Sequence, residues 1–294
     1  MNRPLLLLLG TGAALGLNFP LGKLAMAAGV NPALWAAVIS LGAGLALLAV
    51  SAVIDRGQPG GATAFKFAIV SGFLSYVVPN FLTFAAIPKI GSGLAAIMFA
   101  LSPVMTASLS LILKVRPPSM MGLLGIGFGL AGAIVIITAR NSDFSGGGST
   151  WLLLAALIPV FLGIGNVYRT LGWPQGVGTI RLAALTNLAA VLPLLAVTFA
   201  MSGTLDLAPL AAIPGLTALQ LAVSTTMFLM FFRLQQLGGP TYLSQIGYVA
   251  ATVGVVIGVF FLDEIYPLTV WLGTAVVGAG VALTTIAQWR TARI

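Results

Sequence analysis

The chain is organised as about ten long apolar stretches, and its acidic residues fall only at the edges of those stretches. The five acids are Asp55, Asp143, Asp206, Asp263 and Glu264. Of the 294 residues, 59% are hydrophobic and 6% are charged, whereas a soluble domain has roughly a quarter charged residues. A helix that spans a bilayer needs about 20 mostly apolar residues. We therefore predict an all-α, polytopic membrane protein with ten transmembrane helices.

The predicted spans are separated by short connections that contain helix breakers, such as Asn31-Pro32 and Gly239-Pro240. Short connections make consecutive helices antiparallel neighbours. The first apolar stretch is expected to be retained as a packed helix, because Gly12 and Gly16 form a face of small residues. The spans are predicted at residues 4–22, 32–54, 65–87, 92–113, 118–139, 150–169, 179–201, 210–233, 241–262 and 268–289.

The chain divides into two similar halves, residues 1–140 and 150–294. The polar segment between them, residues 141–149, contains three consecutive glycines and is typical of a flexible linker. A shift of 148 residues superposes the two sets of five spans and places Gly125 on Gly273 and Gly132 on Gly280. Because five is odd, the second half enters the membrane with the opposite orientation. We predict two five-helix inverted repeats around a central cavity, an architecture common in carriers.

Basic residues are distributed unequally between the predicted connections. Lys and Arg are enriched in cytoplasmic loops, so the side that holds most of them is expected to be the inner one. With both termini inside, the inner basic residues are Arg3, Arg56, Lys66, Lys114, Arg116, Arg169, Arg181, Arg233, Arg290 and Arg293, and the outer ones are Lys23, Lys89 and Arg140. We therefore predict cytoplasmic termini, and we assign the net charge of +8 to membrane orientation rather than to nucleic-acid binding.

One repeated sequence pattern resembles a known family. Residues 98–109 read MFALSPVMTASL and are followed by KVRPP and by a glycine-rich run at residues 122–138. The second half has a related pattern over residues 245–262, Asp263-Glu264 and residues 273–285. Over essentially the whole chain this resembles the EamA-type repeat of the drug/metabolite transporter superfamily, and most of all the bacterial aromatic amino-acid exporters. One departure is Arg116, which stands where the second copy has Glu264.

The resemblance implies a ten-helix carrier that exports small metabolites across the bacterial inner membrane. The partners it implies are a small-molecule substrate and the lipid bilayer, with the protein as a monomer or a weak dimer. No cofactor is expected. The substrates we expect are amino acids, aromatic and other neutral ones.

Polar side chains within the spans are expected to face protein or a water-filled cavity, because they are costly in lipid. Several of them recur at helical spacing, as Tyr76, Asn80 and Thr83 do on the third span. They either form helix–helix hydrogen bonds or line one shared cavity, and as a set they favour the cavity. The predicted cavity residues are Asn18, Tyr76, Asn80, Thr83, Met98, Phe99, Ser102, Asn166, Tyr168, Gln220, Ser224, Tyr242, Gln245 and Tyr248.

Such a cavity is polar, uncharged and partly aromatic, which suits a zwitterion with a variable side chain. Arg181 is the only cation that we place within a span, and we interpret it as an anchor that reaches the inner interface. Prolines within spans free backbone carbonyls and kink helices. We predict that four of them act as gates: Pro20, Pro79, Pro103 and Pro159.

Other features exclude an enzyme. The chain has no His and no Cys, which removes the usual nucleophile–base pairs and metal ligands. The G-x-G-x-x-G pattern at residues 127–132 lies within an apolar span and predicts close helix packing rather than a dinucleotide site. Asp263-Glu264 is interpreted as a cap on the end of the ninth span. Without a carboxylate inside a span there is no obvious proton relay, so we predict alternating access without obligatory proton coupling. The alternatives are an exporter of other metabolites or drugs, such as amines or nucleobases, and a channel-like facilitator.

Overall fold

The computed structural model of the protein describes residues 3–54, 61–113, 119–139 and 148–291. Each regular element in these ranges is helical, and one π-helical segment, Phe73–Val77, lies between α3 and α4. The helices are α1 (Arg3–Ala27), α2 (Pro32–Ile54), α3 (Gly61–Gly72), α4 (Val78–Ile90), α5 (Ser92–Ala100), α6 (Ser102–Ile112), α7 (Met120–Ala139), α8 (Gly148–Ala155), α9 (Leu157–Leu171), α10 (Thr179–Ser202), α11 (Ala208–Ala211), α12 (Pro214–Phe261) and α13 (Leu268–Thr291).

The helices account for the ten predicted spans in order. Within the described ranges, seven segments are long and apolar enough to cross a bilayer, and three shorter apolar helices cover the fifth, ninth and tenth predicted spans. The second span, Pro32–Ile54, begins and ends where the sequence predicted. The predicted all-α, polytopic fold is therefore confirmed. The predicted linker, residues 141–149, lies almost wholly outside the described residues, and the boundaries of the two halves stay a prediction.

The long helix α12 contains two spans because it folds back on itself. Gly10 lies against Met230, and Gly12, two residues further along α1, lies against Val249. A straight helix would separate residues 230 and 249 by about 28 Å, at 1.5 Å per residue. The two arms of α12, residues 214–234 and 246–261, therefore both pack along α1. The side chains of residues 235–245, between the arms, lie outside the described set.

The contact between α7 and α13 shows that the two halves are related by inversion. A Cβ added to Gly132 would lie 2.8 Å from the carbonyl oxygen of Gly273, and one added to Gly280 would lie 2.7 Å from that of Gly125. The shift of 148 residues converts Gly125 into Gly273 and Gly132 into Gly280. The second contact is thus the first contact with the halves exchanged. Within the predicted pattern at residues 127–132, Gly129 and Gly132 are closely packed as expected, whereas Gly127 has open space around it.

Other contacts between helices are also reproduced when the two halves are exchanged. The second and seventh spans, α2 and α10, pack together, and so do α5 and the second arm of α12, which belong to the fourth and ninth spans. The contact between α1 and the first arm of α12 has its counterpart in the contact of α9 with α3, α4 and the π-helical segment. The main hydrophobic core runs through the helices of both halves, so the halves meet along a broad internal interface.

Three of the four predicted gating prolines lie just after a break in a helix. A proline at position i cannot donate to the carbonyl at i−4 and clashes with the preceding turn, so the regular helix ends before it. The breaks before Pro79, Pro103 and Pro159 lie at Phe73–Val77, Leu101 and Ala156, respectively. By contrast, α1 is continuous through Pro20. The gating role of all four stays a prediction.

The glycine contact between α7 and α13 predicts a clear difference between two substitutions in one helix. Gly132→Ala would place a methyl group against backbone atoms of α13, which cannot move aside as a flexible side chain can. We expect a loss of about 1–3 kcal/mol in stability, seen as a lower melting temperature of the detergent-solubilised protein. Gly127→Ala, on the same helix with open space around it, is the matched control and should melt like the wild type. Equal melting temperatures for both variants would contradict the packing described here.

Candidate functional site

One face of the first arm of α12 meets side chains from both halves of the protein. Gln220, Ser224, Phe228 and Phe231 follow one another at intervals of four, four and three residues, which places them along one side of the helix. We refer to these four residues as the α12 stripe. Its contacts within the second half, and with the first half across the interface, define the candidate site.

At one end of the stripe, two amides and a hydroxyl form a closed hydrogen-bonded triangle. The Ser224 hydroxyl donates to Asn18 Oδ1 at 2.9 Å, and Gln220 Nε2 donates to Ser224 Oγ at 2.7 Å and also to Asn18 Oδ1. All three residues are buried. These predicted cavity residues therefore join α1 to α12 directly, as in the helix–helix alternative that the sequence left open. Gln220 Oε1 has no partner among the described atoms.

At the other end of the stripe lies a partly buried cation, Arg169. Arg169 Nη2 donates to Asn166 Oδ1 at 2.5 Å, and Asn166 Nδ2 donates to Thr106 Oγ1 at 3.0 Å. The guanidinium carbon of Arg169 lies 6.0 Å from the centroid of the Phe231 ring, within the range of a cation–π interaction. We refer to Thr106, Asn166, Arg169 and Phe231 as the Arg169 cluster.

The position of Arg169 corrects an expectation from the sequence. We assigned Arg169 to the orienting charges at the inner side and Arg181 as the only cation within a span. In the structure α9 continues to Leu171 and carries Arg169 in its last turn, against Phe231. Arg181 is therefore not the only cation within a span, while the assignment of Arg169 to the inner side stays a prediction. Arg169 is surrounded by protein yet keeps some accessible surface, as expected for a side chain that faces an internal space. The spacing of three residues between Asn166 and Arg169 was the signal available in the sequence.

Tyr76 brings the first half of the protein to the same region. Its ring meets the ring of Phe228 edge to face, with the centroids 5.3 Å apart and the planes at 73°. It is buried and lies close enough to Arg169 for the two to interact electrostatically. The α12 stripe thus connects an amide triangle to an aromatic and cationic region, and each contains a residue from the opposite half.

The remaining predicted cavity residues of the first half pack around this interface in different ways. Phe99 meets Phe19 edge to face at 5.7 Å, and Met98 is fully buried. Thr83 is also buried, and its hydroxyl has no partner among the described atoms. Asn80 is partly buried. The backbone carbonyl of Ser102 accepts a hydrogen bond from the hydroxyl of Thr106, at 2.8 Å, and so joins the edge of the Arg169 cluster.

In the second half, two predicted tyrosines lie away from the stripe. Tyr168 stacks on Phe67 at 5.6 Å, in a separate cluster with Leu182. Tyr248 lines a crevice of about 640 Å³ between α13 and the second arm of α12. Apolar residues form most of this crevice, and several of them are exposed on the lateral surface, including Phe260 and Trp271. The predicted side chains of Tyr242 and Gln245 lie outside the described residues.

A second polar network closes one end of the helix bundle around Glu264. Glu264 Oε1 accepts hydrogen bonds from the Ser92 amide at 2.6 Å, the Ser92 hydroxyl at 2.8 Å and Lys23 Nζ at 2.9 Å. Glu264 Oε2 accepts from the Gly93 amide at 3.0 Å and from the Tyr266 hydroxyl. We refer to these five residues as the Glu264 latch.

The latch corrects the interpretation of Asp263-Glu264 as a cap on the end of the ninth span. Glu264 instead caps the N-terminus of α5, where free amides and the helix dipole favour a carboxylate. Two features of the backbone make room for it. Asp263 adopts a left-handed conformation with φ of 52°, which turns the chain after α12. Gly91, with φ of 86°, could not carry a side chain, because its Cβ would lie 2.7 Å from the Tyr266 hydroxyl oxygen.

The surroundings of Glu264 hold it in the charged form. Burial alone would raise the pKa of this carboxyl group, but the hydrogen bonds from Tyr266, Gly93, Lys23 and Ser92 outweigh burial and lower the pKa below its ordinary value. Glu264 is therefore ionised at neutral pH. It joins the end of α1 and the start of α5, in the first half, to the connection between α12 and α13, in the second.

Comparisons with known proteins agree with this geometry. Residues 2–138 match the EamA-like transporter family. The match supports the predicted resemblance over the first five-helix half, and membership of the whole chain in the family stays a prediction. The matching family is one of transporters, which is in line with the expected membrane carrier. Within the described ranges no cluster of three or more His, Cys, Asp or Glu residues could hold a metal ion.

Solved structures support the fold over the whole chain. A protein with a known crystal structure superposes with a TM-score of 0.61 at 20% identity, and the alignment covers 95% of this chain and 96% of that one. At this identity the likeness concerns the fold alone. No curated protein matches the chain. The aromatic amino-acid exporter subtype stays a prediction.

The lowered pKa of Glu264 predicts how stability depends on pH. A carboxyl group whose pKa is lowered in the folded state stabilises that state above its unfolded pKa of about 4.3, and this contribution is lost as the pH falls through the folded pKa. Glu264→Gln should cost about 1.5–3 kcal/mol at pH 7, and melting curves should show the gap to the wild type narrowing as the pH is lowered.

Asp263→Asn is the matched control for this experiment, because Asp263 is exposed beside the latch and Asn tolerates its left-handed backbone. This variant should follow the wild type at each pH. A gap between wild type and Glu264→Gln that stays constant from pH 7 to pH 3 would show that the charge on Glu264 does not stabilise the fold.

Proposed function

We propose that the protein is a carrier that exports small metabolites across the bacterial inner membrane, with neutral and aromatic amino acids as its main substrates. Both termini face the cytoplasm in this proposal, as the distribution of basic residues suggests. The match of the first half to a transporter family and the fold of the whole chain support a carrier. The aromatic residues beside the stripe support substrates with apolar side chains.

The observation that carries the proposal is that the two inverted halves meet through polar and aromatic side chains inside the bundle. Asn18 and Tyr76 of the first half contact Gln220, Ser224 and Phe228 of the second. Inverted repeats favour alternating access, in which one half rocks against the other around a site near the midplane. The α12 stripe lies at the surface along which such a motion takes place.

The Glu264 latch supports a definite state for this structure. Lys23, Ser92 and Glu264 lie at helix ends that the predicted orientation places on the outer side of the membrane. The latch ties the halves together there, through hydrogen bonds to a charged group, so the outer end is closed. In our proposal the carrier is open towards the cytoplasm, and export requires the latch to break.

The state of Glu264 also supports transport without obligatory proton coupling. Among the acids that the structure describes, Glu264 alone is buried. It is ionised and held by five hydrogen bonds, which disfavours proton uptake near neutral pH. It also lies at a helix terminus rather than along a span, where proton relays are found.

The lateral crevice favours a second candidate, an exporter of apolar drugs. Its volume of about 640 Å³ suits a drug-sized molecule. It is lined by Tyr248, Val255, Trp271 and other mostly apolar residues, and it opens sideways, where such a compound would partition from lipid. A channel-like facilitator lacks a supporting feature of this kind in the described structure.

Counterflow in liposomes that contain only this protein tests the proposal. We expect unlabelled phenylalanine inside the liposomes to drive uptake of labelled phenylalanine from outside, with saturation and without transport of a phosphate ester. The initial rate should be the same with and without a pH gradient. Empty liposomes are the control for leakage. Uptake that collapses when the pH gradient is removed would contradict uncoupled transport, and linear uptake without saturation would favour a channel.

A further inference from the structure

The Arg169 cluster contains a positive charge that has no counter-charge among the described residues. In the part of the chain that the structure describes, no carboxylate lies within ion-pair distance of the Arg169 guanidinium. The group has five N–H donors, and its hydrogen bond to Asn166 uses one of them. The donors that remain are free to bind an acceptor that comes from outside the protein.

Retaining such a charge is costly. An ionised side chain in the interior of a membrane protein is rarely left without a partner, and where one occurs it usually marks a path for a substrate or an ion. Arg169 lies in the last turn of α9, where a cation also interacts favourably with the helix dipole. That interaction needs a positive charge but not the planar, forked donors of an arginine.

The groups around Arg169 describe the kind of ligand that fits. The face of the Phe231 ring lies next to the guanidinium, and Phe228 with Tyr76 extends the aromatic surface by one helical turn. Asn166 Oδ1 already accepts from Arg169, so its oxygen faces the same space as the guanidinium. A ligand with one carboxylate and an adjoining apolar group satisfies the free donors and covers the rings. A doubly charged phosphate would bring a second negative charge for which no further described cation is available in the cluster.

We propose that Arg169 binds the carboxylate of the transported substrate, while Phe228, Phe231 and Tyr76 contact its apolar part. This proposal rests on the proposed function, because it concerns the substrate of the same carrier. It makes the protein selective for carboxylate-bearing molecules over the corresponding amines. It also explains why the polar side chains of the α12 stripe end next to a cation.

Binding of three related compounds to the purified full-length protein tests the proposal. The probes are phenylalanine, 3-phenylpropionate, which lacks the amine, and phenethylamine, which lacks the carboxylate. Isothermal titration is carried out with wild type, Arg169→Gln and Arg169→Lys. We expect Arg169→Gln to weaken binding of the two carboxylates by about tenfold or more, because a charge-assisted hydrogen bond is lost. The affinity for phenethylamine should stay within about twofold of the wild-type value. Arg169→Lys should show an intermediate loss, because it keeps the charge without the fork.

Arg233→Gln is the matched control, since Arg233 is an exposed arginine two residues beyond Phe231 and its loss removes the same charge. It should bind all three compounds like the wild type. The proposal would be overturned if Arg169→Gln weakened binding of all three compounds equally, or weakened binding of none of them. It would also be overturned if the wild type bound neither carboxylate.

Counterflow separates this proposal from the proposed function. Carboxylate binding that depends on Arg169, together with an absence of counterflow by the wild type, would support the site and reject the carrier. Wild-type counterflow of phenylalanine that Arg169→Gln leaves unchanged would support the carrier and reject the site. Melting temperatures of each variant show that a loss of binding does not come from unfolding.

Discussion

The structure depends on one constraint: within the bilayer, a polar group finds a hydrogen-bond partner inside the protein or remains without one, at a cost of several kcal/mol. Several hydroxyls in the spans satisfy it locally, as Thr186 and Thr198 do by donating to the carbonyl one turn back. Larger polar groups need partners on other helices. The triangle of Asn18, Gln220 and Ser224 arises in this way, and it holds the two halves together without an ionised group.

The same constraint makes polar groups that remain without a hydrogen-bond partner informative about function. Arg169 keeps donors that the described residues do not bind, and its side chain keeps some accessible surface, so an internal space that admits a ligand is the natural explanation. The Glu264 carboxylate is in the opposite situation, because it accepts hydrogen bonds from five donor groups. The carboxylate of Glu264, which is fully paired, closes one end of the bundle. The guanidinium of Arg169, which is incompletely paired, lies beside the interface between the halves. In the proposed carrier, these two charges correspond to a closed end and to a site beside the interface.

The sequence predicted the fold well because its strongest signals are local. Apolar length located the spans, and the glycines at residues 125, 132, 273 and 280 predicted the repeat, although not the contact between α7 and α13 in which they meet. The site was harder to predict, because its partners are far apart in the chain. Nothing in the local pattern links Glu264 to Ser92, which is 172 residues away. Arg169 falls on the last residue of its predicted span, where boundaries are uncertain by several residues, and its direction depends on the packing of α9 on α6.

The most direct test is the accessibility of the Arg169 cluster from each side of the membrane. The chain has no cysteine, so Thr106→Cys introduces a single thiol of similar size to the residue it replaces. A thiol reagent that does not cross membranes is applied to right-side-out and inside-out vesicles. Our account predicts modification of this thiol from the cytoplasmic side alone, with phenylalanine slowing the reaction. Modification from the outer side alone, or from neither side while an exposed control cysteine at Asp206 reacts, would contradict it.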